Sequence, residues 1–156
     1  MYKFDECVKR SDPLYGVIEI SVLSAKIIKE PEFARLCKIH QLGTFRFVKG
    51  TANHSRFEHS IGVAYLARQL MLNVCDKEIT DVQKMAVEVA ALLHDIGHCA
   101  FSHVFDDFIT RNYGIKLHHE NRSGILSRIV LTRLGCSSEF CLSLIHISEP
   151  TRRTPI

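Results

Sequence analysis

Apolar residues recur along most of this chain at three- and four-residue steps, the period of a helix, with short exceptions near the start. Residues 1–12 read as an extended lead-in, and Asp12-Pro13-Leu14-Tyr15-Gly16 as a turn. Residues 17–20 have strand composition. Ser21 offers an N-cap for a helix to about Lys29, and Pro31 suits the first turn of a second helix ending near Gly43. Residues 44–48 alternate as a short strand does, and Lys49-Gly50 turns the chain. Phe57, Ile61, Ala64, Tyr65, Leu66, Leu70 and Val74 form the stripe of a long helix. Thr80 or Asp81 caps the next helix, whose stripe is Val82, Met85, Ala86, Val89, Ala90 and Leu93. Ala91 and Leu92 widen that stripe, so its C-terminal half is expected to be buried. His94 and Asp95 fall in its last turn, and Gly97 ends it. Residues 104–113 predict a helix stopped by Gly114, and residues 119–134 another closed by Gly135. The expected fold class is all-α, with one small β ribbon near the N-terminus.

The final stretch breaks the pattern. Residues 142–156 read LSLIHISEPTRRTPI, with two prolines, paired arginines and no amphipathic period. They resemble a peptide that arises when sequencing-adapter DNA is translated. The expectation is a genuine domain portion over 1–141 and a non-native or disordered tail over 142–156. A natural flexible tail is the alternative.

Composition narrows the classes. The 156 residues are 46% hydrophobic and 24% charged, with a formal net charge of +3. That suits one globular domain with a real core. No long basic block argues for nucleic acid, although local basic residues leave room for a small anionic substrate. Cysteines 7, 37, 75, 99, 136 and 141 form no CxxC pair. The polar N-terminus is no signal peptide, and no apolar run is long enough to span a bilayer. The reading is an intracellular protein, cytoplasmic or nuclear, with reduced thiols and no membrane partner. Cys99, beside His98, is a small filler or a metal-site neighbour.

The chemistry gathers around Leu92-Leu93-His94-Asp95-Ile96-Gly97-His98, met from upstream by His59. Imidazoles with a carboxylate suit a divalent metal, namely manganese, iron, zinc or, less well, magnesium. His94 and Asp95 are neighbours about 100° apart on a helix, yet can converge on an ion beyond its end. The competing reading is a core histidine and a helix-end Asp. It is weakened because Asp there faces the wrong end of the helix dipole. Three ligands leave positions for water or phosphate, as a hydrolase needs. His98, His103 and His118-His119 offer proton carriers; His40 and His146 have no evident role. Arg56 would flank the metal and fork onto phosphate, or be an ordinary exposed Arg. Asp106 and Asp107 read as an exposed acidic pair more readily than as a fourth carboxylate. Gln41-Leu42-Gly43 presents an amide to a base or sugar, or simply ends a helix.

These motifs resemble the HD superfamily of metal-dependent phosphohydrolases. Asp12-Pro13…Gly16, Gln41-Leu42-Gly43, residues 54–62 (HSRFEHSIG), residues 93–98 (LHDIGH) and Phe101-Ser102-His103…Phe105-Asp106 are similar to one branch. That branch is the deoxynucleoside triphosphate triphosphohydrolases of the SAM-and-HD-domain type, and the similarity covers roughly residues 12–135. The resemblance implies an HD helical fold, with His59, His94 and Asp95 binding the metal. It implies proton transfer by His98 with Asp95 placing the water, and His119 as a second catalytic histidine. Arg56 and His103 would meet phosphates, and Gln41 and Leu42 the deoxyribose or base. The substrate would be a deoxynucleoside triphosphate, cleaved to nucleoside and triphosphate. A homo-oligomer of the complete protein and single-stranded nucleic acid as a ligand come from the resemblance alone. The family completes its metal site with a later Asp that matches nothing here, so the domain is expected to be incomplete. Lys29, Ala34 and Cys37 stand where some relatives bind a regulatory guanine nucleotide, which puts that gating in doubt. Another HD-type nucleotide phosphohydrolase and a catalytically incompetent nucleotide-binding fragment are the rival readings.

Overall fold

The computed structural model describes residues 2–73, 79–116 and 118–148, with side chains through residue 144 in the last segment. The lead-in is more regular than its sequence suggests. Strand β1 (Cys7–Asp12) pairs antiparallel with β2 (Gly16–Ser21), from Cys7 opposite Ser21 to Asp12 opposite Gly16. Asp12 makes the turn between them. Its Oδ1 accepts the N–H groups of Leu14 (2.9 Å) and Tyr15 (3.0 Å), and Gly16 takes φ +76°. Ile18 and Ile20 point into the core while Val17 and Glu19 face out, the two-residue alternation of a half-buried strand. Ser21 then caps α1 (Val22–Ile27) through its side chain, as expected.

Two expectations in the next stretch are corrected. The helix from Pro31 runs only through α2 (Pro31–Ala34) and tightens into a 3₁₀ turn at Arg35–Lys38. It does not reach Gly43. Gly43–Phe47 is likewise a 3₁₀ turn and not a strand. Gly43 enters it at φ +53°, and Phe45 and Phe47 lie half exposed and exposed. Alternation alone cannot make a strand without a neighbour to pair with. Among the described residues the only nearby ladder contact is a single bridge, His40 with Ser55.

Helix α3 (Arg56–Asn73) lies against α4 (Asp81–Leu93). A complete capping box starts α4, with Thr80 accepting from Gln83 N–H and the Gln83 side chain reaching back. Met85, Ala86, Val89, Ala90, Leu92 and Leu93 are buried, but Val82 is 38% exposed. The buried face of α3 also departs from its apolar stripe. Leu66 and Leu70 are exposed, whereas Arg68 and Met71 are buried; Val74 and Cys75 lie outside the described residues. The reason is an ion pair. Arg68 Nη1 donates to Glu88 Oε2 at 3.0 Å and to the carbonyl of Phe4 at 2.9 Å. Glu88 Oε1 accepts from Ser21 N–H and Ser24 Oγ–H, at 2.9 and 2.6 Å. The carboxylate thus joins the hairpin, α1, α3 and α4 inside the core.

The α4 helix stops at Leu93, with His94 as its C-cap and residues 94–97 in turns. Asp95 therefore lies beyond the helix, not in its last turn. Gly97 is not a left-handed cap either. A Cβ there would stand 2.3 Å from the His119 carbonyl and 2.4 Å from Ser123 N, so Gly97 admits a backbone-to-backbone approach. The approaching helix is α6 (His119–Arg133), reached through α5 (His103–Tyr113). Gly114 and Gly135 take the expected left-handed φ at the ends of α5 and α6. Helix α7 (Ser138–Ser148) packs on α4 and α6 and runs across the boundary expected after residue 141. Cys141 and Leu144 on it are buried; residues 149–156 lie outside the described set. The architecture is all-α with one two-stranded ribbon, as expected of an HD helical fold. No helix among the described residues is long and apolar enough to cross a membrane.

Candidate functional site

His59, one turn into α3, faces the His94-Asp95 doublet at the end of α4. His59 Nε2 and His94 Nε2 are 3.3 Å apart, and Asp95 Oδ2 lies 3.6 Å from the first and 3.3 Å from the second. His94 Nδ1 is 2.7 Å from the Ala91 carbonyl, its natural acceptor. That bond fixes the tautomer with its proton on Nδ1 and leaves the Nε2 lone pair free. Ligands about 2.1 Å from an ion stand about 3 to 3.5 Å apart in octahedral or tetrahedral geometry. The triangle of donor atoms fits that spacing, and one carboxylate with two imidazoles suits a divalent ion.

Arg56 opens α3 and is buried. Its Nη1 donates to Asp95 Oδ2 at 2.5 Å and its Nε to Ser102 Oγ at 2.8 Å. Ser102 in turn donates to the His40 carbonyl at 3.1 Å. The alternative of an ordinary exposed Arg is therefore excluded: most of this guanidinium's capacity is spent inside, orienting the carboxylate. Burial opposes ionisation of Asp95, but His94, His98 and Arg56 together hold its pKa well below the usual carboxylate range. His59 has its pKa lowered, first by burial. At His94 burial also disfavours the charged form, but the Asp95 carboxylate outweighs it and the pKa is raised.

A second histidine group adjoins the first. His98 is fully buried, and neither ring nitrogen has a hydrogen-bond partner. Its Nε2 stands 3.4 Å from Asp95 Oδ1. Its ring stacks on His119 with centroids 3.9 Å apart and planes 19° from parallel, and meets His103 edge-on at 4.9 Å. Burial lowers the His98 pKa. Asp106 Oδ2 accepts from the His119 backbone N–H at 3.1 Å and faces its Nδ1 at 3.2 Å. Arg122 pairs with the other oxygen of Asp106. Asp106 is thus buried, and only Asp107 is exposed, so the reading of an exposed acidic pair fails at its first member. The donor atoms of His98, His103, Asp106 and His119 all lie within 4.8 Å of one another.

The remaining expected residues divide. Gln41 is half buried, and its side-chain Oε1 is buried without a partner, an amide oxygen available to a ligand. Leu42 beside it is 48% exposed. His118 is exposed at the start of α6, outside both groups; Leu117, in the same motif, lies outside the described residues. Cys99 is half buried and belongs to neither group. Arg122 carries no signal in the sequence, and Ser102 only its place in the Phe101-Ser102-His103 motif. Ser102 works because Phe101 and Ser102 adopt φ of 61° and 57°, which turns its hydroxyl toward Arg56.

Comparison with known proteins points to one family. The family model of the HD domain matches residues 56–139. The chain is 45% identical over 119 residues to the deoxynucleoside triphosphate triphosphohydrolase SAMHD1 of Gallus gallus, covering 72% of this chain and 19% of that protein. To the Homo sapiens protein of the same name it is 44% identical over 100 residues, 62% of this chain and 16% of the relative. To a putative HD domain-containing protein, L394, of Acanthamoeba polyphaga mimivirus it is 36% identical over 137 residues, 77% and 30% of the two chains. The chain spans less than a third of the length of each of these relatives.

Proposed function

The chain belongs to the HD-domain family, and from that premise we propose that it supplies part of the catalytic centre of a deoxynucleoside triphosphate triphosphohydrolase. The observation that carries the reading is the meeting of His59, His94 and Asp95 beside the stacked His98–His119 pair. Metal donors and proton carriers stand within one contact of each other, as hydrolysis of a phosphate ester requires.

In this reading His59, His94 and Asp95 would hold a divalent ion, which would supply charge stabilisation at the phosphate and lower the pKa of water. Asp95 Oδ1 and His98 Nε2, 3.4 Å apart, orient the attacking water, and His98 Nε2 accepts its proton. The water oxygen bonds to the α-phosphorus, and the bond from phosphorus to the 5′ oxygen breaks. His119, steadied by Asp106, returns a proton to the leaving 5′ oxygen. The products are a nucleoside and inorganic triphosphate. Arg56 holds Asp95 and offers phosphate the N–H groups that its internal bonds leave over. His103, exposed at the edge of the stack, binds the phosphate chain. Gln41 Oε1 and Leu42 meet the deoxyribose or base.

Incubating the complete protein that carries this part of the centre with Mn²⁺ and each deoxynucleoside triphosphate, then resolving the products by ³¹P NMR, tests this. Inorganic triphosphate is expected, and His94→Ala removes it. Pyrophosphate or orthophosphate as the product assigns the site to another HD-type phosphohydrolase. Nucleotide binding without turnover assigns it to a non-catalytic relative.

A further inference from the structure

Because α4 ends at Leu93, the carbonyls of Ile96, Gly97 and His98 lie outside a regular helix. Each of them meets a guanidinium. Arg35 Nη1 donates to the His98 carbonyl at 2.6 Å, and its Nη2 donates to the carbonyl of Ile96. Arg122 Nε donates to the Gly97 carbonyl at 2.9 Å. Arg35 comes from the 3₁₀ turn between α2 and α3, far from the motif in sequence and half buried. Its planar fork spans two carbonyls two residues apart, which a point-charge ammonium cannot do.

His98 needs such external support. Apart from its Nε2 standing 3.4 Å from Asp95 Oδ1, its ring has no hydrogen-bond partner, so its place depends chiefly on its backbone and on stacking. The partner ring is held separately, because Asp106 binds His119 and Arg122 binds Asp106. Arg122 and Arg35 thereby grip the same loop from two sides. One ties it to the His119 side of the stack, and the other pins the carbonyl of His98 itself.

We propose that Arg35 is a positioning residue, whose fork on the Ile96 and His98 carbonyls holds the His98 ring in its stack against His119. The consequence for turnover rests on the reading of His98 as a proton carrier; the placement of the ring does not.

The test uses the whole chain in solution. Rings with centroids 3.9 Å apart give a nuclear Overhauser cross-peak between the His98 and His119 ring protons. The Tyr15–Tyr65 pair, at 5.1 Å and away from the loop, supplies an internal reference. Arg35→Gln is expected to weaken the histidine cross-peak at least threefold against that reference. Arg35→Lys, which can bind one carbonyl, restores part of it. A histidine cross-peak unchanged in either folded variant overturns the proposal. If Arg35→Gln does not fold, Arg35→Lys decides alone, and failure of both to fold makes Arg35 a fold residue and overturns it too. In the complete protein with Mn²⁺ and dGTP, Arg35→Lys is expected to lose at least tenfold in kcat with KM within twofold. Absence of turnover in the complete parent protein defeats the proposed function and leaves the cross-peak to judge Arg35.

Discussion

Two buried arginine–carboxylate pairs start from the same helix and end differently. Arg56 and Arg68 both lie on the buried face of α3, twelve residues apart. Arg68 meets Glu88 at 3.0 Å and Arg56 meets Asp95 at 2.5 Å. Around Glu88 both oxygens are satisfied by neutral donors and one guanidinium. Around Asp95 one oxygen is shared among Arg56 and two imidazoles, and the other lies 3.4 Å from a histidine whose ring nitrogens have no hydrogen-bond partner. The first pair closes a core, and the second leaves donor capacity facing a ligand. Burial and charge are alike in the two; the difference is whether the remaining lone pairs are used up.

Breaking the closed pair has the largest expected effect. Arg68→Ala strands the fully buried Glu88 carboxylate and is expected to cost about 3–5 kcal/mol of stability, read from urea unfolding. A loss under about 1 kcal/mol would mean that Glu88 draws its support from Ser21 and Ser24 alone. Breaking the open pair acts elsewhere. Asp95→Asn keeps the shape but removes the charged donor from the His59–His94 group. Calorimetric affinity for Mn²⁺ is expected to fall at least a hundredfold, about 2.7 kcal/mol, with less change in stability than Arg68→Ala. Unchanged Mn²⁺ affinity would remove Asp95 from the metal set and erase the contrast.

The same contrast shows what a sequence can carry. Helices α3, α4, α5 and α6 are legible because period, capping box and terminal glycines agree locally. The meeting of His59, His94 and Asp95 is legible too, since three such residue types are hard to account for by packing. The buried face of α3 is not. Counting apolar residues selects Leu66 and Leu70, whereas the structure selects Arg68, because its partner lies twenty residues away on another helix. Residues 44–48 alternate like a strand but have no strand to join. Ser102 stands in a recognisable motif but acts through an unusual φ, and Arg35 acts through backbone carbonyls, so neither role can be read from residue types. Helix α7 is missed because its buried positions, Cys141 and Leu144, gain meaning only once α4 and α6 are in place.

Asp106 stands between the two pairs and yields the smallest effect. Like Glu88 it is buried and met by an arginine, and like Asp95 it faces a histidine. Burial acts to raise its pKa, but Arg122 and His119 outweigh that, so the folded value lies below the unfolded one of about 3.9. A carboxyl with a depressed folded pKa adds stability that is complete above the unfolded value. That contribution is lost as pH falls through the folded value. Asp106→Asn removes the titration, so stability should fall less steeply as pH drops below about 4 than in the parent chain. Urea midpoints across that range measure the slope. Part of it will remain, because Asp95 is depressed in the same direction and titrates in both proteins. Equal slopes in variant and parent would show that Arg122 and His119 do not favour the charged form of Asp106, leaving Asp95 as the carboxylate in this centre that its neighbours hold ionised.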